Sequence, residues 1–191
     1  MPNIPKAVRE LIAEYRRFLR TSYRFLDEHL RQQFEEHLAQ ADVVVRYAGG
    51  SNAGHTVVVN GQKTILHLLP SGILHPGCLC VVGNGVVVDP GELLEEIALL
   101  ESRGCKVGDN LLVSDRAQVV MPYHKLLDAL QEETKGDGKL GTTLRGIGPC
   151  YADKASRCGI RMIDLVNPRA LAERLRANLP MVNRLLARVY D

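Results

Sequence analysis

The sequence predicts an α/β fold: a sheet with flanking helices, preceded by an N-terminal α-helical segment. Three observations carry this expectation. From Asp42 onward, short β-branched runs punctuated by glycine alternate with stretches of helical periodicity, as in α/β architecture. Before Asp42 the composition differs, because all three Phe and none of the 17 Gly lie in residues 1–41. Finally, 191 residues with 46% hydrophobic and 24% charged content suffice for one domain with a real core.

Residues 1–41 read as an amphipathic helical segment of different origin from 42–191. Pro5 suits a first helical turn. Val8, Leu11, Ile12, Tyr15 and Leu19 recur at three- and four-residue steps, and Leu26, Leu30, Phe34 and Leu38 form a second stripe. Interleaved arginines and acids make a solvated polar face, or a docking surface for another chain. Val43 to Val45 then reads as a buried strand ending in Arg46-Tyr47, and residues 49–56 as a loop. Val57 to Val59, Asn60-Gly61 and Thr64 to Leu66 read as a hairpin, since Asn-Gly supplies both positive φ angles of a tight turn. Cys80 to Val82 and Val86 to Val88 read as two strands around a turn at Gly83-Asn84-Gly85. Asp89-Pro90 starts a helix through Leu93, Leu94, Ile97 and Leu100, stopped at Gly104. Leu111 to Val113 and Val119-Val120 are strands, Tyr123 to Leu130 is helical, and Lys135 to Lys139 is a polar loop. A helix after Pro149 carries Lys154 and Arg157, and Asn167-Pro168 caps a last helix that Pro180 interrupts.

Composition excludes several classes. A net charge of +2, from 24 Lys+Arg against 22 Asp+Glu, gives no reason to expect nucleic acid or an anionic membrane as partner. No run of 18 apolar residues and no charged-then-apolar leader occurs, so a soluble, cytoplasmic protein is expected. Five cysteines fit reduced thiols better than a disulfide framework. Cys78-x-Cys80 with His75 lacks a second ligand pair at zinc spacing. Neither G-x-x-x-x-G-K-[ST] nor G-x-G-x-x-G after a strand is present.

Two loops have the residue types that hold a phosphorylated ligand. In Gly49-Gly50-Ser51-Asn52-Ala53-Gly54-His55-Thr56, glycines bring backbone N–H groups close to a ligand, Asn52 offers an amide and His55 a titratable imidazole. The same segment also reads as a plain glycine turn with a surface histidine. Gly141 to Pro149 (GTTLRGIGP) gathers two hydroxyls, a guanidinium and free N–H groups, the donors that hold a phosphate monoester. It too reads as a structural loop.

With both loops read, residues 42–191 resemble the adenylosuccinate synthetase family through "VVRYAGGSNAGHTVVVNG", "LHLLPSGILHPG", "GNGVVVDP" and "GTTLRGIGPCYADKASRCGIR", in family order and spacing. The resemblance implies a partial adenylosuccinate-synthetase-type sheet and a Mg²⁺-dependent, GTP-consuming ligation of IMP and L-aspartate to adenylosuccinate in AMP synthesis. It implies a cytoplasmic homodimer. His55 matches the acid that stabilises phosphoryl transfer. Asn52, Ala53, Gly54, His55 and Thr143 match the IMP site, and Gly54, His55 and Thr56 border GTP. Gly54 also matches a backbone-carbonyl ligand of Mg²⁺. Arg157 matches an arginine that reaches the IMP site of the partner subunit.

Departures from the family pattern shape the expectation. The family's G-D-E-G-K-G-K loop cradles GTP and supplies the aspartate that deprotonates IMP; it has no counterpart in these 191 residues. Nor do the later segments that recognise guanine and aspartate. Loss of a general base costs about 10²–10⁴ in rate, so this chain is expected to be incomplete, inactive or weakly active. Leu144 stands where the family usually has glycine. Residues 1–41 faintly resemble the leading helices of large bacterial helicases, without any helicase motif. The alternative reading is a non-catalytic purine-nucleotide-binding or dimerising module with a helical adaptor.

Overall fold

The computed structural model describes residues 40–59, 61–135 and 141–189. The helical reading of residues 1–39, the Asn60 turn position and most of the 135–139 loop lie outside the described residues. The chain divides between Gln40 and Ala41, and the second unit is an α/β layer organised on one long strand.

That strand is β4 (Leu79–Val88). β1 (Val43–Gly49) pairs with it in parallel on one side, and β5 (Leu111–Val113) in parallel on the other. β6 (Gln118–Val119) adds to its C-terminal end, Val87 facing Gln118 and Val88 facing Val119. β2 (His55–Val59) and β3 (Gln62–Leu66) form a separate antiparallel hairpin, with His55 opposite Leu66. The helices are α1 (Pro90–Ser102), α2 (Pro122–Thr134), α3 (Ile147–Ala155), α4 (Met162–Leu165) and α5 (Pro168–Val189), with a 3₁₀ turn at Ser71–Leu74. Among the described residues no helix is long and apolar enough to cross a membrane.

β4 supplies the middle of the core. Cys80, Val82, Val86 and Val88 are fully buried against Leu66, Leu68 and Leu69 and against Leu93 and Leu100 of α1. Each such aliphatic side chain contributes about 1.5–3 kcal/mol by leaving water. α1 starts where expected: Asp89 Oδ1 accepts from Gly91 N at 2.9 Å and Glu92 N at 3.2 Å, ahead of Pro90 at the first turn. All five cysteines are free. Burial, with the Cys78 thiol alongside, pushes Cys80 up to about 12.

Five local readings are corrected. Gly83-Asn84-Gly85 is no turn, because β4 runs through it unbroken. The glycines serve close strand approach instead: a Cβ at Gly83 would stand 3.2 Å from the Arg46 carbonyl, and one at Gly85 would strike the Tyr47 carbonyl. The register with β1 is irregular at that point, between Arg46 and Ala48. β1 itself is no more than half-buried, and on one face only, with Val43, Val45 and Tyr47 exposed. β2 begins at His55, so His55 and Thr56 lie in a strand rather than in the loop. α3 starts before Pro149 and ends before Arg157, which lies past the helix at φ 62°. α5 continues through Pro180, because its half-buried stripe of Leu171, Leu175, Asn178, Val182 and Leu185 keeps helical spacing across the proline.

Candidate functional site

The first loop leaves the end of β1 and is pinned from three directions. Gly49 N donates to Tyr151 Oη at 2.9 Å, and the same hydroxyl donates to Gly85 O at 2.7 Å, tying β1, β4 and α3 together. Arg46 Nη2 donates to Gly50 O at 2.7 Å. Gly50 has no room for a side chain, since a Cβ would meet Ile147 Cδ1 at 2.6 Å and Val87 Cγ2 at 2.9 Å. Beyond this anchor Asn52, Ala53 and Gly54 are exposed, His55 is half-buried and Thr56 exposed.

The second loop is brought against the first. Arg145 Nη1 donates to Ser51 O at 2.7 Å and pairs with Glu92 Oε2 at 3.1 Å. Lys125 bridges Glu92 at 3.7 Å and also pairs with Asp89, so the first turn of α1 backs this link. Gly146 N donates to Asp128 Oδ2 at 2.9 Å. Gly146 adopts φ 75°, and a Cβ there would come within 2.8 Å of the α2 backbone at Lys125 N. Thr143 is exposed, and Leu144 adopts φ 55°. Ser51 Oγ and Thr142 Oγ1 are buried and have no hydrogen-bond partner among the described residues. Arg145, read as a phosphate donor, thus has one nitrogen engaged in joining the two loops.

Electrostatics set the resting state of His55. Burial lowers its affinity for a proton, and the Arg46 guanidinium and His67 lower it further; the Leu69 carbonyl and Glu96 act the other way. The net direction is downward, so the ring rests neutral at neutral pH. A cavity of about 690 Å³ opens beside His67, lined by Lys63, Glu92, Glu96, Arg103 and Arg145 among others.

Arg157 lies elsewhere. It lines a separate cavity of about 240 Å³ with Arg116, Lys154, Arg161 and Arg174. Lys154 Nζ donates there to Asn84 O at 2.8 Å. The structure therefore joins the Asn52–His55 and Thr143 loops and keeps Arg157 apart from them. Among the described residues no group of three His, Cys, Asp or Glu side chains could hold a metal ion.

Sequence reasoning missed Glu96 and Tyr151 as parts of this assembly. The signal for Glu96 was present: an acid inside the apolar stripe Leu93, Ile97 and Leu100 has to meet buried donors. Tyr151 enters the sequence reading only as a letter of a motif, and nothing local marks its hydroxyl as a clip between strands.

A family model described as adenylosuccinate synthetase matches residues 35–191, starting ahead of Asp42. The chain is 57% identical over 153 residues to an adenylosuccinate synthetase of Chlorobium chlorochromatii, covering 80% of this chain and 35% of that protein. It is 57% identical over 154 residues to the one of Heliobacterium modesticaldum, with 80% and 36% covered. The solved structure of fully ligated adenylosuccinate synthetase from Plasmodium falciparum superposes with a TM-score of 0.72 at 38% identity, covering 83% of this chain and 38% of that one. The chain thus spans about 35% of the length of the curated relatives it matches.

Proposed function

Because the chain belongs to the adenylosuccinate synthetase family, we propose that residues 42–191 carry the IMP-binding part of a GTP-dependent ligase joining IMP to L-aspartate. The observation that supports this reading is the 2.7 Å bond from Arg145 to the Ser51 carbonyl. It seats the loop bearing Asn52 to His55 beside the loop bearing Thr143, two donor sets suited to one phosphorylated purine.

The chemistry explains why such residues are grouped. A purine oxo group leaves poorly until it is phosphorylated. In the proposed route the IMP N1 proton goes to a base that these residues do not supply, and the 6-oxygen forms a bond to the γ-phosphorus of GTP while the bond to the β,γ-bridging oxygen breaks, releasing GDP. The neutral aspartate amine then bonds to C6, gives up one proton and keeps the other, and the C6–O bond breaks with phosphate as the leaving group. Asn52 and Thr143 orient the nucleotide through its polar edges. The neutral His55 ring stands where anionic phosphoryl oxygens arrive, and their charge favours its protonated, donating form. Thr56 lies next to it along β2, at the border with GTP.

Magnesium, in this reading, comes with the nucleotide. Gly54 offers one backbone carbonyl, and the described side chains form no cage around it. A six-oxygen shell has to be completed by phosphates and water. These residues alone do not hold the ion.

A homodimer is part of the proposal, with Arg157 serving the partner's nucleotide. Its exposed, strongly basic cavity suits an anion delivered from outside its own site. A cytoplasmic location accords with the five free thiols. The same cavity favours the second reading, a nucleotide-binding or dimerising module without turnover.

Isothermal calorimetry with IMP tests the proposal. The parent chain is expected to release heat and Thr143→Ala to bind about 5–30-fold more weakly, as for loss of one or two kcal/mol. No heat from either protein overturns the IMP reading. In a coupled assay with IMP, GTP and aspartate, the purified chain is expected to show no synthesis, since these residues contain no G-D-E-G-K-G-K loop.

A further inference from the structure

We propose that Tyr151 of α3 is a positioning residue for the loop bearing Asn52: its hydroxyl, set between a β1 donor and a β4 acceptor, fixes where that loop leaves the sheet and hence its spacing from Thr143. The inference deepens the functional reading above and rests on it only for the nucleotide that the spacing serves.

The hydroxyl sits where the pairing of β1 with β4 has just slipped. Arg46 lies opposite Val82 but Ala48 opposite Gly85, so three steps along β4 match two along β1. At the end of that pairing Gly49 N donates to Tyr151 Oη at 2.9 Å, and the hydroxyl has Gly85 O at 2.7 Å and Gly49 O at 3.1 Å as acceptors. A phenol has a single proton, and the shorter contact takes it. The side chain thus carries a β1 donor across to a β4 acceptor. Without it, Gly49 N–H either goes unpaired or moves in on Gly85 O, and in both cases the loop starts from another place. Gly49 holds φ 90°, where the chain turns out of the strand. A displacement at that turn is passed on to Asn52, three residues later.

Helix α3 gives this contact its reach. Ile147 and Tyr151 stand four residues apart, on one helix face. Ile147 Cδ1 presses on Gly50 while Tyr151 holds Gly49, and both side chains pack on the buried cluster of Val87, Val120 and Cys150. Lys154, on the next turn, donates to Asn84 O, so α3 grips two successive carbonyls of β4. The same helix is fed by the second loop, whose Gly146 caps its start and is tied to Asp128. One rigid element therefore takes the Thr143 loop at its first residue and grips the Asn52 loop one turn later. A hydroxyl that served the fold alone would leave the contacts of Asn52 with a nucleotide indifferent to its removal.

A double-mutant cycle read by calorimetry with IMP, on the full 191-residue chain, separates these roles. Tyr151→Phe keeps the ring in its packing and removes the hydroxyl; it is expected to bind IMP about 5–30-fold more weakly than the unaltered chain. Asn52→Ala removes the amide whose place is being set. In that background Tyr151→Phe is expected to cost no more than about twofold, because little is left for it to position. Independent, multiplying losses in the double variant, or an unchanged affinity in Tyr151→Phe, overturn the proposal. A second measurement needs no ligand. In amide nitrogen-15 spectra, Tyr151→Phe is expected to shift or broaden the signals of Gly49 to Ala53 and to leave those of α1 in place. Unmoved loop signals overturn the proposal. Loss of the native spectrum throughout would show that the hydroxyl holds the fold rather than the loop, and overturns it as well. Displaced loop signals in a chain that gives no heat with IMP would sink the functional reading alone, leaving the hold of Tyr151 on the loop intact.

Discussion

Leu144 and Arg157 hold left-handed backbone conformations at φ 55° and 62°, each on an exposed stretch beside a loop of interest. For a residue with a Cβ this region costs about 1–2 kcal/mol. The φ of Leu144 is one that glycine adopts freely. Arg157 follows the C-terminal end of α3, where glycine is the common choice. The backbone there is held by the Asp153 carbonyl, which accepts from Cys158 N and Gly159 N at 3.1 Å each. Leu144→Gly and Arg157→Gly are each expected to raise unfolding stability by about 0.5–1 kcal/mol in urea titration, with part of the strain relief returned as unfolded-chain entropy. Arg157→Ala should not gain, which distinguishes backbone relief from removal of charge. The composition of these loops was legible in the sequence, but their left-handed turns were not. Neither residue is of a type that announces positive φ.

Elements dock through a few polar ties. Helices α2 and α3 meet at His124, fully buried, whose Nε2 lies 2.9 Å from Asp153 Oδ2; Tyr123 Oη donates to the same oxygen at 3.3 Å. Burial works to raise the Asp153 carboxyl, but the His124 hydrogen bond and charge, with donors from Cys158 and Tyr123, outweigh it and hold it below the usual carboxylate range. A carboxylate depressed on folding stabilises above its unfolded pKa and loses that contribution as pH falls through the folded one. Stability is thus expected to drop below about pH 4. Asp153→Asn should flatten that drop while costing about 1–3 kcal/mol at neutral pH. Denaturant curves at several pH values check both. The existence of most elements was readable from periodicity and punctuation: Asp89-Pro90 opened α1 as expected, and Leu111 to Val113 formed β5. The failures at Gly83-Asn84-Gly85 and at Pro180 share a cause. Glycine and proline report local freedom, whereas strand approach and a continuous half-buried stripe decided these two segments.

At the scale of the unit from Ala41 onward, the sheet is asymmetric. Within that unit its face toward α1 is packed, while Val43, Val45 and Tyr47 of β1 and Leu112 of β5 are exposed on the other. Val45, Val81 and Leu112 lie side by side in register, so these exposures form one patch rather than scattered residues. Parallel strands are ordinarily covered on both faces, and bare apolar patches associate. Val45→Lys is expected to suppress concentration-dependent light scattering while changing stability by no more than about 0.5 kcal/mol. A continued rise in scattering would show that association runs through another surface. The change in composition near residue 41 was plain in the sequence, whereas the half-covered sheet was not, because β-branched runs look alike whether one face or two are packed.

The dependence of β1 and β5 on β4 has a further consequence during synthesis. β1 leaves the ribosome well before β4, yet its hydrogen-bonding neighbour begins only at Leu79. At roughly 5–20 residues per second, nascent Val43 to Gly49 waits on the order of seconds with an unsaturated edge. Chaperone capture or premature pairing between neighbouring polysome chains would strike in that interval, and slowing translation between codons 50 and 79 should lower the yield of folded protein.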